Sequence, residues 1–155
     1  MLEKLLREEL ALIEGLQQLL QQEYDALRTR DVTALEHIAG EKQISADRLR
    51  SLDTARMAYL REQGFTADRQ GLQTCLEAAP TRKQRGILHK LASEFERAIE
   101  QARDQNEVNG AIIAASRSHV EQALAIVSGR APLEFLYDHD SRKVFSSSGQ
   151  PIAKV

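Results

Sequence analysis

The side chains most able to bind a metal here are four histidines and a single cysteine. A dimetal site inside a helical bundle needs Glu-x-x-His on two helices, because a spacing of three residues places both ligands on one inward face. The residues three positions before His37, His89, His119 and His139 are Ala34, Gly86, Ser116 and Leu136. None of them is a carboxylate, and no His-Glu-x-x-His motif occurs. We therefore expect no metal site.

Other catalytic arrangements are equally weak. Cys75 has no second cysteine for a disulfide or a thiolate metal site, and we expect it to pack as a small apolar residue. The sequence has no glycine-rich phosphate-binding loop, and a helical rod offers no strand-to-helix turn that could activate a serine. The chain is therefore predicted to be a binding protein that uses no cofactor, and not an enzyme.

Composition limits the partners further. The net charge is −2 and charges of both signs are interspersed, so no basic stripe favours nucleic acid. The cluster Arg82-Lys83-Arg85 is more simply the solvated first turn of a helix than a phosphate site. No apolar segment is long enough to be a signal peptide or to span a membrane. We expect a soluble protein of the reducing cytoplasm.

Apolar spacing predicts an all-α fold that begins with an antiparallel helical hairpin. Leu6, Ile13, Leu20 and Leu27 recur every seven residues on a first helix over Leu2–Thr29. Thr33 and Glu36 match a capping box for a second helix that ends near Gln63, before Gly64. A short third helix carries Leu72, Cys75 and Leu76, with Thr66 or Asp68 as its cap, and Ala79-Pro80 ends it.

One long helix follows, from a cap at Thr81 to about Ser128. Apolar or small residues recur every seven positions at Ala92, Ile99, Ile113, Val120 and Val127, with Asn106 at the missing position. A second series is Leu88, Phe95, Ala102 and then Asn109. Two interleaved series make one apolar seam, as in an elongated helical bundle or coiled coil. The sequence thus predicts a helical domain over residues 1–129 and a flexible tail over 130–155 that carries a hydrophobic docking motif.

The end of the long helix is the candidate binding surface, because the first two helices are too short to cover all of it. The predicted contact residues are Asn109, Ile112, Ile113, Val120, Leu124 and Val127. The alternative is that this surface is buried permanently, either in a homo-oligomeric coiled coil or within the chain itself. The two asparagines have two interpretations as well: they fix helix register, or they mark where the bundle opens to a foreign helix. In the tail, an apolar cluster is the candidate docking motif: Leu133, Phe135, Leu136 and Tyr137. The alternative, which is compatible with docking, is that this cluster folds back onto the bundle.

Three features together resemble the FlgN-type flagellar export chaperones. The first is Gly40-Glu41-Lys42 in the hairpin, followed by Leu49 and Leu52. The second is Asn109-Gly110 on the long helix, followed by the apolar stretch to Val127. The third is a proline-containing turn, the pair Leu136-Tyr137 and a later Gly149-Gln150. Here the segment Asp138 to Ser148 lengthens the gap between the last two pairs.

The resemblance implies a cytoplasmic, non-catalytic chaperone of type III export. Such proteins bind the C-terminal helices of the hook–filament junction proteins FlgK and FlgL, prevent their early assembly and bring them to the export gate protein FlhA. It also implies that Tyr137, in the Leu-Tyr pair, contributes to gate docking. Cargo recognition would then fall roughly on Asn109 to Val127.

Overall fold

The computed structural model describes residues 1–128, which form four helices and contain no strand. These are α1 (Leu2–Thr29), α2 (Val32–Glu62), α3 (Arg69–Glu77) and α4 (Arg82–Val127). The described part of the chain therefore confirms the predicted all-α class and the order of hairpin, short helix and long helix. The predicted tail, 130–155, lies outside the described residues.

A very short turn joins α1 to α2 and makes them antiparallel neighbours. Arg30 adopts the left-handed conformation (φ 56°), and its N–H donates to the Leu27 carbonyl. The cap of α2 differs from the prediction: Asp31, not Thr33, accepts the hydrogen bond from the Ala34 N–H (3.0 Å). Aspartate is as good a cap as threonine, and using it starts the helix at Val32.

The caps of the next two helices confirm the prediction. The Asp68 side chain accepts from the Gly71 N–H (2.7 Å) at the start of α3, and Thr81 Oγ1 accepts from the Gln84 N–H (3.1 Å) at the start of α4. Gly64, just beyond α2, has a positive φ of 80°, which glycine adopts without steric cost. Its conformation lets the chain leave α2 and turn toward α3.

Two apolar clusters hold α1, α2 and α4 together. One joins the start of α1 to α2, α3 and α4, and its buried members are Leu2, Leu6, Leu60, Cys75, Leu76 and Leu91. The other consists of Ile13, Leu20, Ala98 and Ala102, with Phe95 and Leu49 packed against it. Two of the four buried positions on α4, Leu91 and Ala98, each lie one residue before the predicted Ala92 and Ile99, which are half-buried.

The chain divides into two compact units, Met1–Ala114 and a second that begins at Ala115. The first contains both apolar clusters and every buried residue of α4. Within residues 1–128, no helix combines the length and the apolar character needed to cross a membrane. The predicted domain boundary at 129/130 stays a prediction.

Candidate functional site

The last turns of α4, in the second unit, present apolar side chains to solvent. Val120 is 59% exposed, Leu124 63% and Val127 86%. Because their spacing is four and then three residues, the three side chains lie on one face of the helix. Arg117 Nε donates to Glu121 Oε1 (2.8 Å) at the edge of this face. We call Val120, Leu124 and Val127 the distal face.

Two other predicted contact residues belong to the first unit. Ile113 is 47% exposed, and Ile112 is half-buried. Ile113 precedes Val120 by seven residues, so it continues the same apolar series along α4. Val108, which the prediction did not include, is 48% exposed as well.

Asn109 is placed differently from the other predicted contact residues, because only 1% of it is exposed. Its Nδ2 donates to the Leu20 carbonyl (2.8 Å) and to Glu23 Oε2 (2.8 Å) on α1. Its Oδ1 accepts from Gln105 Nε2 (2.9 Å) on its own helix. Of the two interpretations given to the seam asparagines, this arrangement favours the fixing of helix register.

Glu23 is itself part of an ion pair that joins α1 to α2. Lys42 Nζ donates to both oxygens of the Glu23 carboxylate (3.0 and 2.9 Å) and to Asn106 Oδ1 (3.2 Å) on α4. Glu23 is buried and Lys42 is half-buried. We call Glu23, Lys42, Asn106 and Asn109 the polar layer. It joins α1, α2 and α4 at one level of the first unit.

The polar layer brings together two motifs that are far apart in the sequence. Lys42 belongs to the Gly-Glu-Lys stretch and Asn109 to the Asn-Gly pair, which carried two of the three features of the resemblance. Sequence reasoning missed Glu23, their shared partner. The sequence did contain a signal for Glu23. Leu2, Glu9, Leu16 and Glu23 are spaced by seven residues, so the two glutamates lie on the same face of α1 as two apolar residues.

Glu9 forms a second interhelical ion pair. Arg56 Nε donates to both of its carboxylate oxygens (3.0 Å each), and Arg56 Nη2 donates to Asp53. Glu9 is 1% exposed. Burial raises the pKa of Glu9 above its ordinary value, and the hydrogen bond and charge of Arg56 oppose that rise only in part.

An open groove of about 730 Å³ runs between α1 and α2. Its walls include Ala11 and Leu12 on α1 and Ile44 and Leu52 on α2, and its charged side chains are Glu8, Asp47 and Arg48. Asp47 already accepts from Arg50 (2.7 Å) and Gln43 (3.1 Å). Nothing in this groove resembles a set of reactive groups.

The remaining candidate groups offer little chemistry. Cys75 is buried, and burial raises the pKa of its thiol, so the nucleophilic thiolate is disfavoured. Within residues 1–128, no three His, Cys, Asp or Glu side chains converge on a possible metal position. The predicted docking residues Leu133, Phe135, Leu136 and Tyr137 lie outside the described residues.

Comparison with known proteins identifies the family. The family model described as FlgN protein matches residues 1–144. A crystal structure of a flagella synthesis protein FlgN from Pseudomonas aeruginosa is similar in fold, with a TM-score of 0.63. The two sequences are 28% identical, and the similarity covers 71% of this chain and 84% of that one. No curated protein matches. Since the family model spans most of its length, the chain belongs to the FlgN family of flagellar chaperones.

Proposed function

We propose that the chain is a cytoplasmic export chaperone that binds the C-terminal helices of FlgK- and FlgL-like hook–filament junction proteins. The observation that supports this best is the distal face, whose three apolar side chains are between 59% and 86% exposed. Exposed apolar surface on successive turns of a helix is a usual place for another amphipathic helix to bind. Family membership supplies the flagellar context.

The proposed contact residues are Val120, Leu124 and Val127 on the distal face, with Ile112 and Ile113 on the preceding turns. An amphipathic cargo helix that covers these side chains would remove its own apolar face from water, which would prevent aggregation and early assembly. Asn109 contributes indirectly in this proposal, because its amide is engaged by Leu20 and Glu23.

Reversible binding is a requirement, since the cargo has to be released for export. A segment that folds on binding loses about 2–5 kcal/mol of the interaction energy to ordering. The proposed binding face also lies on a single helix and contains no aromatic residue, which limits the number of strong anchor contacts. We therefore expect dissociation constants in the sub-micromolar to micromolar range, that is, about −8 kcal/mol of binding free energy.

The tail has a separate role in this proposal. Leu133, Phe135, Leu136 and Tyr137 would dock the loaded chaperone on the export gate protein FlhA, as the family resemblance implies. Replacement of Tyr137 by Ala should then leave cargo affinity unchanged and weaken FlhA binding. If cargo affinity fell instead, the assignment of cargo to α4 and of the gate to the tail would be wrong.

The test of cargo binding is calorimetric titration of the full chain with the C-terminal helical segments of FlgK and FlgL. We expect one-to-one binding that is lost in the variant Val120→Asp/Leu124→Asp. The matched control is Ala115→Asp/Ser118→Asp, which adds the same charge at exposed positions on the opposite side of the helix and should bind normally. Circular dichroism should show equal helix content in both variants.

The alternative function is a homo-oligomeric coiled coil without cargo. The same exposed face supports it, because a second copy could bury these side chains as well as a foreign helix could. A well-folded protein that binds neither segment, and whose mass in analytical ultracentrifugation falls to that of a monomer in the Val120→Asp/Leu124→Asp variant, would favour this alternative.

A further inference from the structure

We propose that the polar layer fixes the register of α4 against the α1–α2 hairpin, and that Asn109 is the positioning residue. This inference concerns the first unit alone, and it does not depend on what the distal face binds. It begins from a difference between the connections. The α1–α2 turn is two residues long, whereas α2 and α4 are separated by residues 63–81, which include α3. A short turn fixes the register of its two helices, and a long connection does not.

Apolar contacts alone discriminate poorly between registers of α4. Its buried and half-buried side chains repeat every seven residues, at Leu91 and Ala98 and again at Leu88, Phe95 and Ala102. A displacement of α4 by seven residues, ~10 Å along the axis, would again place apolar or small side chains at most of these positions. The exceptions are Gln105, which would reach the level of Ala98 in one direction, and Gln84, which would reach the level of Leu91 in the other. Polar contacts therefore add to the selection of the register.

The polar layer provides such contacts. With α4 displaced in one direction, Asn109 would move to the level of Ala102, among Ile13, Leu20 and Ala98. Gln105 would move with it and still donate to Oδ1, but Nδ2 would lose the Leu20 carbonyl and the Glu23 carboxylate. The polar side chain of α1 at that level is Gln17, which already donates to the Ala98 carbonyl and to Gln101 Oε1. A buried N–H donor that loses its acceptors is disfavoured, and the native register is the one that gives Nδ2 both of them.

Displacement in the other direction is opposed by Glu23. Ala102 would then occupy the level of Asn109, and the buried carboxylate would lose the hydrogen bond from Nδ2. Lys42 would remain as its only described partner. One displacement thus removes the acceptors of the buried Nδ2 of Asn109, and the other removes one of the two donors to the buried Glu23 carboxylate. A single buried asparagine specifies the register of a coiled coil by the same kind of difference.

The inferred consequence is a defined end to the buried part of α4. Asn109 is the last buried residue of this helix within residues 1–128, and every later described side chain is half-buried or exposed. The register therefore decides where the buried part of α4 ends within the first unit. Lys42 and Glu23 would act with Asn109 in this role, although they lie on the other two helices.

The test replaces the buried and half-buried residues of the polar layer by apolar side chains, keeps the exposed Asn106, and measures helix position. The variant is Glu23→Leu/Lys42→Met/Asn109→Leu in the full chain. The matched control is Glu9→Leu/Arg56→Leu, which removes the other buried ion pair but leaves α4 its polar partners. Circular dichroism and thermal unfolding establish that each variant is folded.

Pulsed electron paramagnetic resonance gives the distance between spin labels at Arg7→Cys on α1 and Arg103→Cys on α4, with Cys75→Ala to avoid a third label. The starting protein and the control should each give one narrow distance. The polar-layer variant should give a second population, displaced by several ångströms, because a seven-residue slip moves α4 by ~10 Å.

A polar-layer variant that is folded and keeps the single native distance would overturn the inference. If the triple variant did not fold, Asn109→Leu alone would decide by the same measurement. A second distance in that variant supports the register role of Asn109, and an unchanged single distance refutes it. Neither result depends on FlgK, FlgL or FlhA.

Discussion

Asn109 on α4 donates a 2.8 Å hydrogen bond to the Glu23 carboxylate on α1, across a separation of 86 residues in the chain. The two side chains are almost completely removed from water. A buried carboxylate is tolerated only when donors surround it, and here Asn109 and Lys42 share that role. The long helix is thereby joined to the hairpin by directional hydrogen bonds in addition to apolar contacts.

The first prediction is that Asn109→Ala destabilises the fold by about 2–3 kcal/mol. The substitution removes the donor to Glu23 and to the Leu20 carbonyl and leaves both acceptors buried. The measurement is urea unfolding followed by circular dichroism. Asn106→Ala is the matched control, because Asn106 is exposed and its described contact is with Lys42. A loss no larger than the ~0.5 kcal/mol expected of the control would show that the Asn109 contacts do not stabilise the bundle.

The second prediction concerns the Glu9–Arg56 pair. Arg56→Leu should cost about 3–5 kcal/mol, because it leaves a 1% exposed carboxylate without its cation. The double variant Glu9→Leu/Arg56→Leu should be close to the starting stability, since two apolar side chains can fill the same space without a desolvation cost. Chemical unfolding of both variants makes the comparison. Equal losses in the single and double variants would contradict this account.

The fold was largely predictable because its main signals are local. Seven-residue apolar spacing, Pro80, Gly64 and the cap residues Asp68 and Thr81 each act over a few neighbours. The cap of α2 was the exception. Both Asp31 and Thr33 are good cap residues, and the choice between them depends on how tightly the chain turns at Arg30.

The polar layer was less predictable because it depends on three helices. Asn109 was recognised as a polar residue in the seam, but its partner Glu23 is 86 positions away. Lys42, which also donates to Glu23, is 67 positions from Asn109. From its neighbours in the sequence alone, Glu23 would be assigned to the exposed face of an amphipathic helix. Only its place in the series of Leu2, Glu9 and Leu16 indicates that it faces inward.

The third prediction follows from the raised pKa of Glu9. Burial raises the pKa of Glu9 above its ordinary value of 4.5, which we take for the unfolded chain. At a pH between the ordinary and the folded-state pKa, the folded protein therefore binds a proton that the unfolded chain has lost. The stability that Glu9 contributes by protonation is therefore fully present below pH 4.5 and is lost as pH rises through the folded-state pKa. The free energy of unfolding of the starting protein, minus that of Glu9→Gln, should fall over this window. A difference that rises with pH would mean that Arg56 outweighs burial.

Asp68 should show the opposite dependence. Hydrogen bonds from the Gly71 N–H and the Thr66 hydroxyl lower the pKa of its carboxyl below 3.8. Its contribution is therefore present above pH 3.8 and is lost as pH falls through the folded-state pKa. Asp68→Asn should remove this dependence while Glu9→Gln leaves it intact. The two variants thus separate the acid behaviour of an exposed helix cap from that of a buried ion pair.

The last prediction concerns the space around Gly71, in the first turn of α3. A Cβ at this position would lie 1.8 Å from the Thr66 carbonyl oxygen, a backbone atom that cannot move without displacing the loop. The same loop holds Asp68, which caps α3 through the Gly71 N–H. Gly71→Ala should therefore lower stability by about 1–3 kcal/mol, as other substitutions that overfill a packed site do.

Gly15→Ala is the matched control for this effect. A Cβ at Gly15, inside α1, meets no atom within 4 Å, so the added methyl group creates no clash. Alanine is also the better helix former by about 1 kcal/mol, and the control should be stabilised by an amount of that order. Thermal unfolding of the two variants gives shifts of opposite sign if the Thr66 carbonyl is the cause. Shifts of the same sign would mean that the loop before α3 relaxes freely, and Gly71 would then have no steric role.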